Sequence, residues 1–209
     1  ISDKDLPAVT RDVLSNLKDA ASITYTGMDP DKYLPPKPTI ALYLDSPQEN
    51  MITCDVAAIY GEKKYHVYGK ERYSQKRNFT EEHRLAEIIQ MHFNAFDQEK
   101  SLLVYSGDEG DIFTFLSQVI PKLQKYGDIY VTDSMKKLRV VPSASFQVGV
   151  SVSSGLLEMS MASNQFNKEE LAEIFSSYDR KKKYHRLKNG VFITFNEEQK
   201  QVMSAISDV

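Results

Sequence analysis

Cysteine is almost absent: Cys54 is the one thiol in 209 residues. No disulfide can close within the chain, and no cysteine-rich zinc site can be built from it. That fits a reducing compartment, and a cytoplasmic location is expected. No apolar stretch approaches the roughly 20 residues needed to span a bilayer. No basic-then-apolar signal pattern opens the chain. An excess of one charge is missing too, with a net charge of −3. The molecule is therefore no polyanion binder by bulk charge, and any nucleic-acid contact must come from a local patch. Apolar residues make up 41% and charged residues 26%, the balance of a globular protein with a real core.

The strings that carry chemistry are missing as well. Walker A requires G-x-x-x-x-G-K-[ST], whose amides and lysine cradle phosphate, and no such string occurs. The nearest loop is Tyr105-Ser106-Gly107-Asp108-Glu109-Gly110-Asp111. Its carboxylates repel phosphate and suit a capped helix start instead. No serine sits in G-x-S-x-G, which acyl transfer on an α/β-hydrolase scaffold needs. His66, His83, His92 and His185 are scattered, and none pairs as H-x-x-x-H around an acid. His92 reads as a core residue on an apolar helix stripe. Cys54 reads as a small buried residue of a strand. Asp55 followed by Glu62-Lys63-Lys64 echoes the D…E-x-K pattern of magnesium-dependent nucleases, which need both acids on one metal. Glu62, however, falls in an expected turn. Asp45, Glu49 and Asp55 hold a cation only if the fold gathers them.

Periodicity supplies the elements. A helix is expected over Leu6–Ala20, followed by a Pro- and Asp-rich stretch from Gly27 to Pro38. Residues 1–37 are therefore read as a helical appendage with a Pro-rich linker, and 38–209 as one α+β domain. Alternation predicts an antiparallel meander of Thr39–Asp45, Met51–Tyr60 and Lys64–Tyr68. A helix from Glu81 to Phe93 follows, with Thr80 as its N-cap. Leu102–Tyr105 reads as a buried strand. A helix over Asp111–Tyr126 is capped by Asp108 and ended by Gly127, with Pro121 predicting a kink or break. Ile129–Val131 and Leu138–Val141 are short strands. Phe146–Val152 and Leu156–Met161 form a hairpin around Ser153-Ser154-Gly155. Asn167 with Glu170 starts a helix that buries Leu171, Ile174, Phe175 and Tyr178. The tail from Asn196 is helical. The fold class expected is α+β: a largely antiparallel, mixed sheet with helices packed on it.

One run stands out. "RKKKYHRLKNGVFITF", from Arg180 to Phe195, packs six cations into nine positions before turning through Asn189-Gly190 into an apolar strand. In a strand, Tyr184, Arg186 and Lys188 share one face and His185 and Leu187 the other. Lysines at such positions can meet successive phosphates, and Tyr184 could stack on a base or sugar. The bland alternative is a charged rim at a helix C-terminus, where cations are favoured anyway. A third is contact with an acidic protein surface.

A helix ending in a tyrosine and then "DRKKKYHRLKNGVFITF" resembles the closing motif of the bacterial Swi/Snf helicase-associated domain. "PTIALYLD" with "MITCDVAAIYGEKKYHV" resembles that family's early sheet, and "NFTEEHRLAEIIQMHF" its next helix. "LLVYSGDEGDIFTFLSQVIPKLQKYGDIYVTDSMKKL" resembles its central strand–helix–strand. The resemblance spans about Pro38 to Phe195. It implies an accessory domain lying before a Swi/Snf-type, double-stranded-DNA-stimulated ATPase motor in the same polypeptide. No part of that motor is recognisable, so neither ATP hydrolysis nor a cofactor is expected of this chain, and no catalytic residue carries over. The chain begins at Ile1 and ends on Ser207-Asp208-Val209, and a piece of a longer protein is expected. The leading expectation is a non-catalytic module that positions the motor on double-stranded DNA or on a partner. Lys181, Lys182, Lys183, Arg186 and Lys188 are its expected contact face. The alternatives are an autoinhibitory module docking on the motor lobes and, third, a metal-dependent nuclease.

Overall fold

A computed structural model describes residues 36–70, 77–142, 147–179 and 181–207, with positions 9, 22 and 24 besides. The helix expected over Leu6–Ala20 and most of its linker lie outside the described residues. In the rest, helices pack on a mixed, mostly antiparallel sheet, as the α+β expectation has it.

The meander forms first in the chain. β1 (Thr39–Gln48), β2 (Met51–Tyr60) and β3 (Lys63–His66) pair antiparallel, β2 in the middle. Alternation decides their faces: Ile40, Leu42 and Leu44 of β1 and Ile52, Cys54, Val56 and Ala58 of β2 are fully buried on one side. Burial there pushes the Cys54 thiol pKa far up, with the neighbouring Asp55 charge adding to it. The first half of β2 pairs β5 (Leu102–Ser106), which in turn pairs the three-residue β4 (Ala95–Asp97). On the far side of β1 lies β6 (Asp128–Val131), parallel to it, giving the order β4-β5-β2-β1-β6.

A parallel partner needs a crossover, and helix α2 supplies it. It runs as Glu109–Thr114, then a π-helical turn Phe115–Val119, then Ile120–Leu123. Pro121 explains the middle part. It has no N–H and its ring displaces the preceding turn, so the ladder widens and the Ile120 N–H reaches the Phe115 carbonyl five residues back. Asp108 is the N-cap, as expected, and it forms a capping box with Asp111. Gly127 then carries the chain against β1. A Cβ there would lie inside contact distance of the Ile40 carbonyl oxygen, so no larger residue fits without moving backbone.

Helix α1 (Phe79–Gln90) covers the same face of the sheet, burying Ala86 and Ile89. Two expectations for it need correction. Asn78, not Thr80, is its N-cap, accepting the Glu81 N–H at 3.2 Å. The helix also stops at Gln90, so His92 lies in a turn and not on a helix stripe. Asn94 is the reason. Its backbone N–H bonds the Val104 carbonyl, and its side chain brackets Ser106 through both its oxygen and its nitrogen. Docking on β5 pulls the chain out of helix and into β4.

A buried pair holds the entry to α1. Arg77 and Glu82 are each 3% exposed at the side chain and join in two parallel bonds of 3.0 and 2.6 Å. The Tyr60 hydroxyl donates to Glu82 at 2.7 Å and accepts the Asn78 N–H at 2.8 Å. Removing either charged partner leaves the other buried and uncompensated, a cost of about 3–5 kcal/mol.

Beyond β6, the short helix α3 (Asp133–Lys137), capped by Thr132, stands where no element was expected. It shortens the expected strand 138–141 to β7 (Val140–Val141). The hairpin β8 (Gln147–Ser153) and β9 (Leu156–Ala162) turns through Ser154 and Gly155, both at positive φ. α4 (Lys168–Ser176) starts on the expected Asn167–Glu170 capping box. β10 (His185–Arg186), β11 (Phe192–Ile193) and α5 (Glu197–Ser207) close the chain.

Gly127→Ala is expected to cost about 1–3 kcal/mol, the range of overpacking in a close-fitted site. It should appear as a lower urea midpoint at unchanged slope, and an unchanged midpoint would contradict the close approach.

Candidate functional site

The basic run folds as expected into a hairpin, but between two cores. β11 pairs β10 antiparallel on one side and β7 parallel on the other. Phe192 and Val140 face the main core with the sheet and α2, while Ile193 and Val141 face a second core around Leu171, Ile174 and Met203. Period two then sorts the run. His185 and Leu187 are buried in or against the second core, and Tyr184 and Arg186 turn to the first.

Tyr184 is therefore engaged. Its ring stacks on Phe113 at 4.4 Å and meets Phe192 edge-on at 5.4 Å. One face of the ring that could stack on a base or sugar is thus taken by Phe113. Arg186 is engaged too. Its guanidinium donates to Asn50 Oδ1 at 2.7 Å, stands 3.6 Å from Glu49 and lies over the Phe192 ring. Arg186 anchors the hairpin to the β1–β2 turn, where Asn50 adopts positive φ.

Lys181, Lys182, Lys183 and Lys188 remain exposed. Among the described residues no ion pair holds their ammonium groups. The backbone beneath them is pinned. Lys181 and Lys182 donate their N–H groups to the Asp179 side chain and carbonyl. Lys188 donates its N–H to Glu173 Oε1 at 2.9 Å, and Asn189 bonds Glu170 at 2.8 Å. Gly190, at φ +92°, completes the turn. The acids of α4 thus serve backbone and amide donors and leave the lysine heads to solvent.

His185 joins the lysine loop to the second core. It stacks on Tyr178 at 5.3 Å and meets Phe195 at 5.6 Å. Its Nε2 accepts the Asp179 N–H at 3.3 Å. Burial, and then the Lys182 charge, hold its pKa below the ordinary value.

Of the other sequence candidates, Asp45 and Asp55 meet in one cavity and the rest stand apart. Asp55 pairs with His66 at 2.8 Å, and Glu62 sits beyond the far end of β2 in the exposed turn. Glu49 turns to Arg186, away from Asp45 and Asp55. Among the described residues no three His, Cys, Asp or Glu side chains gather as metal ligands. That removes the geometry the nuclease reading requires. His83 pairs with Glu87 on the exposed face of α1. Sequence reasoning missed a groove of about 750 Å³ at the end of α1, where Met91, Phe93 and Phe96 lie beside Arg84, Glu87 and Gln90. Met91 there is 75% exposed. Among the described residues no helix is long and apolar enough to cross a membrane.

The family model described as bacterial SNF2 helicase associated matches residues 1–209, the whole chain. Neither a curated protein nor a solved structure matches it.

The lowered His185 pKa has a definite sign. Above the ordinary value near 6.5 both folded and unfolded histidine are neutral. As pH falls through that value the unfolded form takes the proton first, and stability drops until the folded pKa is passed. Urea midpoints should therefore decline from pH 7.5 downward through 6.5, and His185→Gln should flatten that step. A wild-type midpoint constant across the window would contradict the neutral, buried ring.

Proposed function

Because the chain belongs to the bacterial SNF2 helicase-associated family, we propose that it is a non-catalytic accessory region of a SNF2-type motor borne on the same polypeptide. Its role is to position that motor on double-stranded DNA. The observation that carries this reading is the separation of roles within the basic hairpin. Tyr184 and Arg186 hold the fold, while Lys181, Lys182, Lys183 and Lys188 stand exposed on pinned backbone. Ammonium groups held this way attract phosphate without reading bases. The face is thus suited to duplex DNA of any sequence, and Arg186 acts as its anchor.

A second reading is favoured by the groove at the end of α1. Exposed Met91 and the neighbouring Phe96 suit a protein surface better than a phosphate backbone. In this reading the domain docks on the motor lobes and restrains them. Deletion of the region would then raise the ATPase rate of the full protein without DNA.

Binding of this chain to duplex DNA should weaken steeply with salt. Four phosphate contacts give a slope of about −3.6 in log K against log salt, at about 0.9 per contact. Lys181→Glu, Lys182→Glu and Lys183→Glu together should lower affinity at least tenfold while leaving the thermal midpoint unchanged. Equal DNA affinity in that triple variant would overturn the DNA reading.

A further inference from the structure

We infer that the face of the main sheet turned away from α1 and α2 carries a second site, a pocket that takes the guanidinium of an arginine displayed by a partner protein. The described helices α1 and α2 pack on one face of this sheet. On the other, alternation leaves Tyr43 and Asp45 of β1, Asp55 of β2 and Tyr130 of β6. They line a cavity of about 290 Å³, closed by Leu102 and Thr132 among others. The family match assigns nothing to this face.

Three features give the pocket its chemistry. First, Tyr43 and Tyr130 are register partners across the parallel β1–β6 pair and stack at 5.0 Å, 16° from coplanar. The Lys64 ammonium already sits 3.5 Å from the centre of the Tyr43 ring, so one end of this aromatic column holds a cation. At its other end Tyr130 is 48% exposed. Second, Asp45 is oriented with one oxygen to spare. Both its donors, the Ser46 N–H and the Thr132 hydroxyl, land on Oδ1. Third, Asp55 is held by His66 at 2.8 Å, which keeps a second carboxylate at the rim.

These features select among ligands. Two carboxylates repel phosphate, so this is no extension of the lysine face. Among the described residues no three His, Cys, Asp or Glu side chains gather as metal ligands, so the pair is a poor cage for a metal ion. A cation that is flat and carries several donors fits both the ring and the acids. Guanidinium stacks on aromatic faces and bonds carboxylates through paired N–H groups, whereas an ammonium offers a point charge and no plane. The tyrosine ring faces are apolar enough to pack against the arginine methylenes. The occupant is thus an arginine side chain on an exposed segment of a protein partner.

Titration calorimetry on the whole chain tests this with three blocked peptides, Gly-Arg-Arg-Gly and the same sequence with citrulline or lysine in place of arginine. The arginine peptide should bind in the millimolar range or tighter, with the citrulline peptide at least tenfold weaker and the lysine peptide in between. Asp45→Asn, which keeps the shape of the side chain, and Tyr130→Ala should each weaken the arginine peptide at least fivefold. The Lys181/Lys182/Lys183→Glu variant should bind it no more weakly than wild type. Equal binding of arginine and citrulline peptides, unchanged affinity in a folded Asp45→Asn variant, or no binding of the arginine peptide would overturn the inference. Because the lysine variant reports on DNA separately, failure here leaves the DNA reading standing, and the reverse also holds.

Discussion

Two adjacent residues carry the constraint on which the C-terminal half depends. Phe192 and Ile193 are both fully buried and, being neighbours in a strand, point to opposite sides, one into each core. The Phe192 N–H bonds the Arg139 carbonyl and the Thr194 N–H bonds the Val141 carbonyl. A slip of one residue would exchange the two faces and misplace a large side chain in both cores at once. The register of this hairpin is therefore tightly specified, although its strands are only two residues long.

That constraint also decides which charges reach solvent. Wherever the basic run passes through the seam, its side chains are drawn into packing: His185 among Tyr178 and Phe195, Tyr184 against Phe113, Arg186 on the Phe192 ring. Where it leaves the seam, at residues 181–183 and at 188, the lysines stand clear. The cationic face is thus set by the two cores as much as by the density of lysine. The same economy recurs at the entrance to α1, where Arg77, Glu82 and Tyr60 satisfy one another in the interior. Buried charge of this kind specifies a geometry more than it adds stability.

Much of the fold was legible. The paired strands of the meander, the hairpin about Ser154-Gly155, the Asn167–Glu170 cap and the disruption at Pro121 all appear where periodicity and turn chemistry put them. Each depends on residues within a few positions of one another. The elements that were missed are short or held from outside. α3 has five residues and β4 three, too few for a period to show. The end of α1 at Gln90 depends on Asn94 finding Ser106, and its cap at Asn78 is supported by Tyr60 from another strand.

The candidate site divides along the same line. The amino-acid order by itself determined that a cluster of cations precedes an Asn-Gly turn and an apolar strand, that Tyr184 and Arg186 share a face, and that no Walker A string occurs. Only the tertiary structure decided which of those cations stay exposed, because Arg186 finds Asn50 and Glu49 on the distant β1–β2 turn and Tyr184 finds Phe113 on α2. It likewise decided that Tyr130 meets Tyr43 beside Asp45 and Asp55, since β6 lies parallel to β1 only through the crossover of α2. Backbone periodicity acts between near neighbours in the chain and can be read along it. Packing partners are chosen by proximity in space, which the chain acquires only once its elements have met.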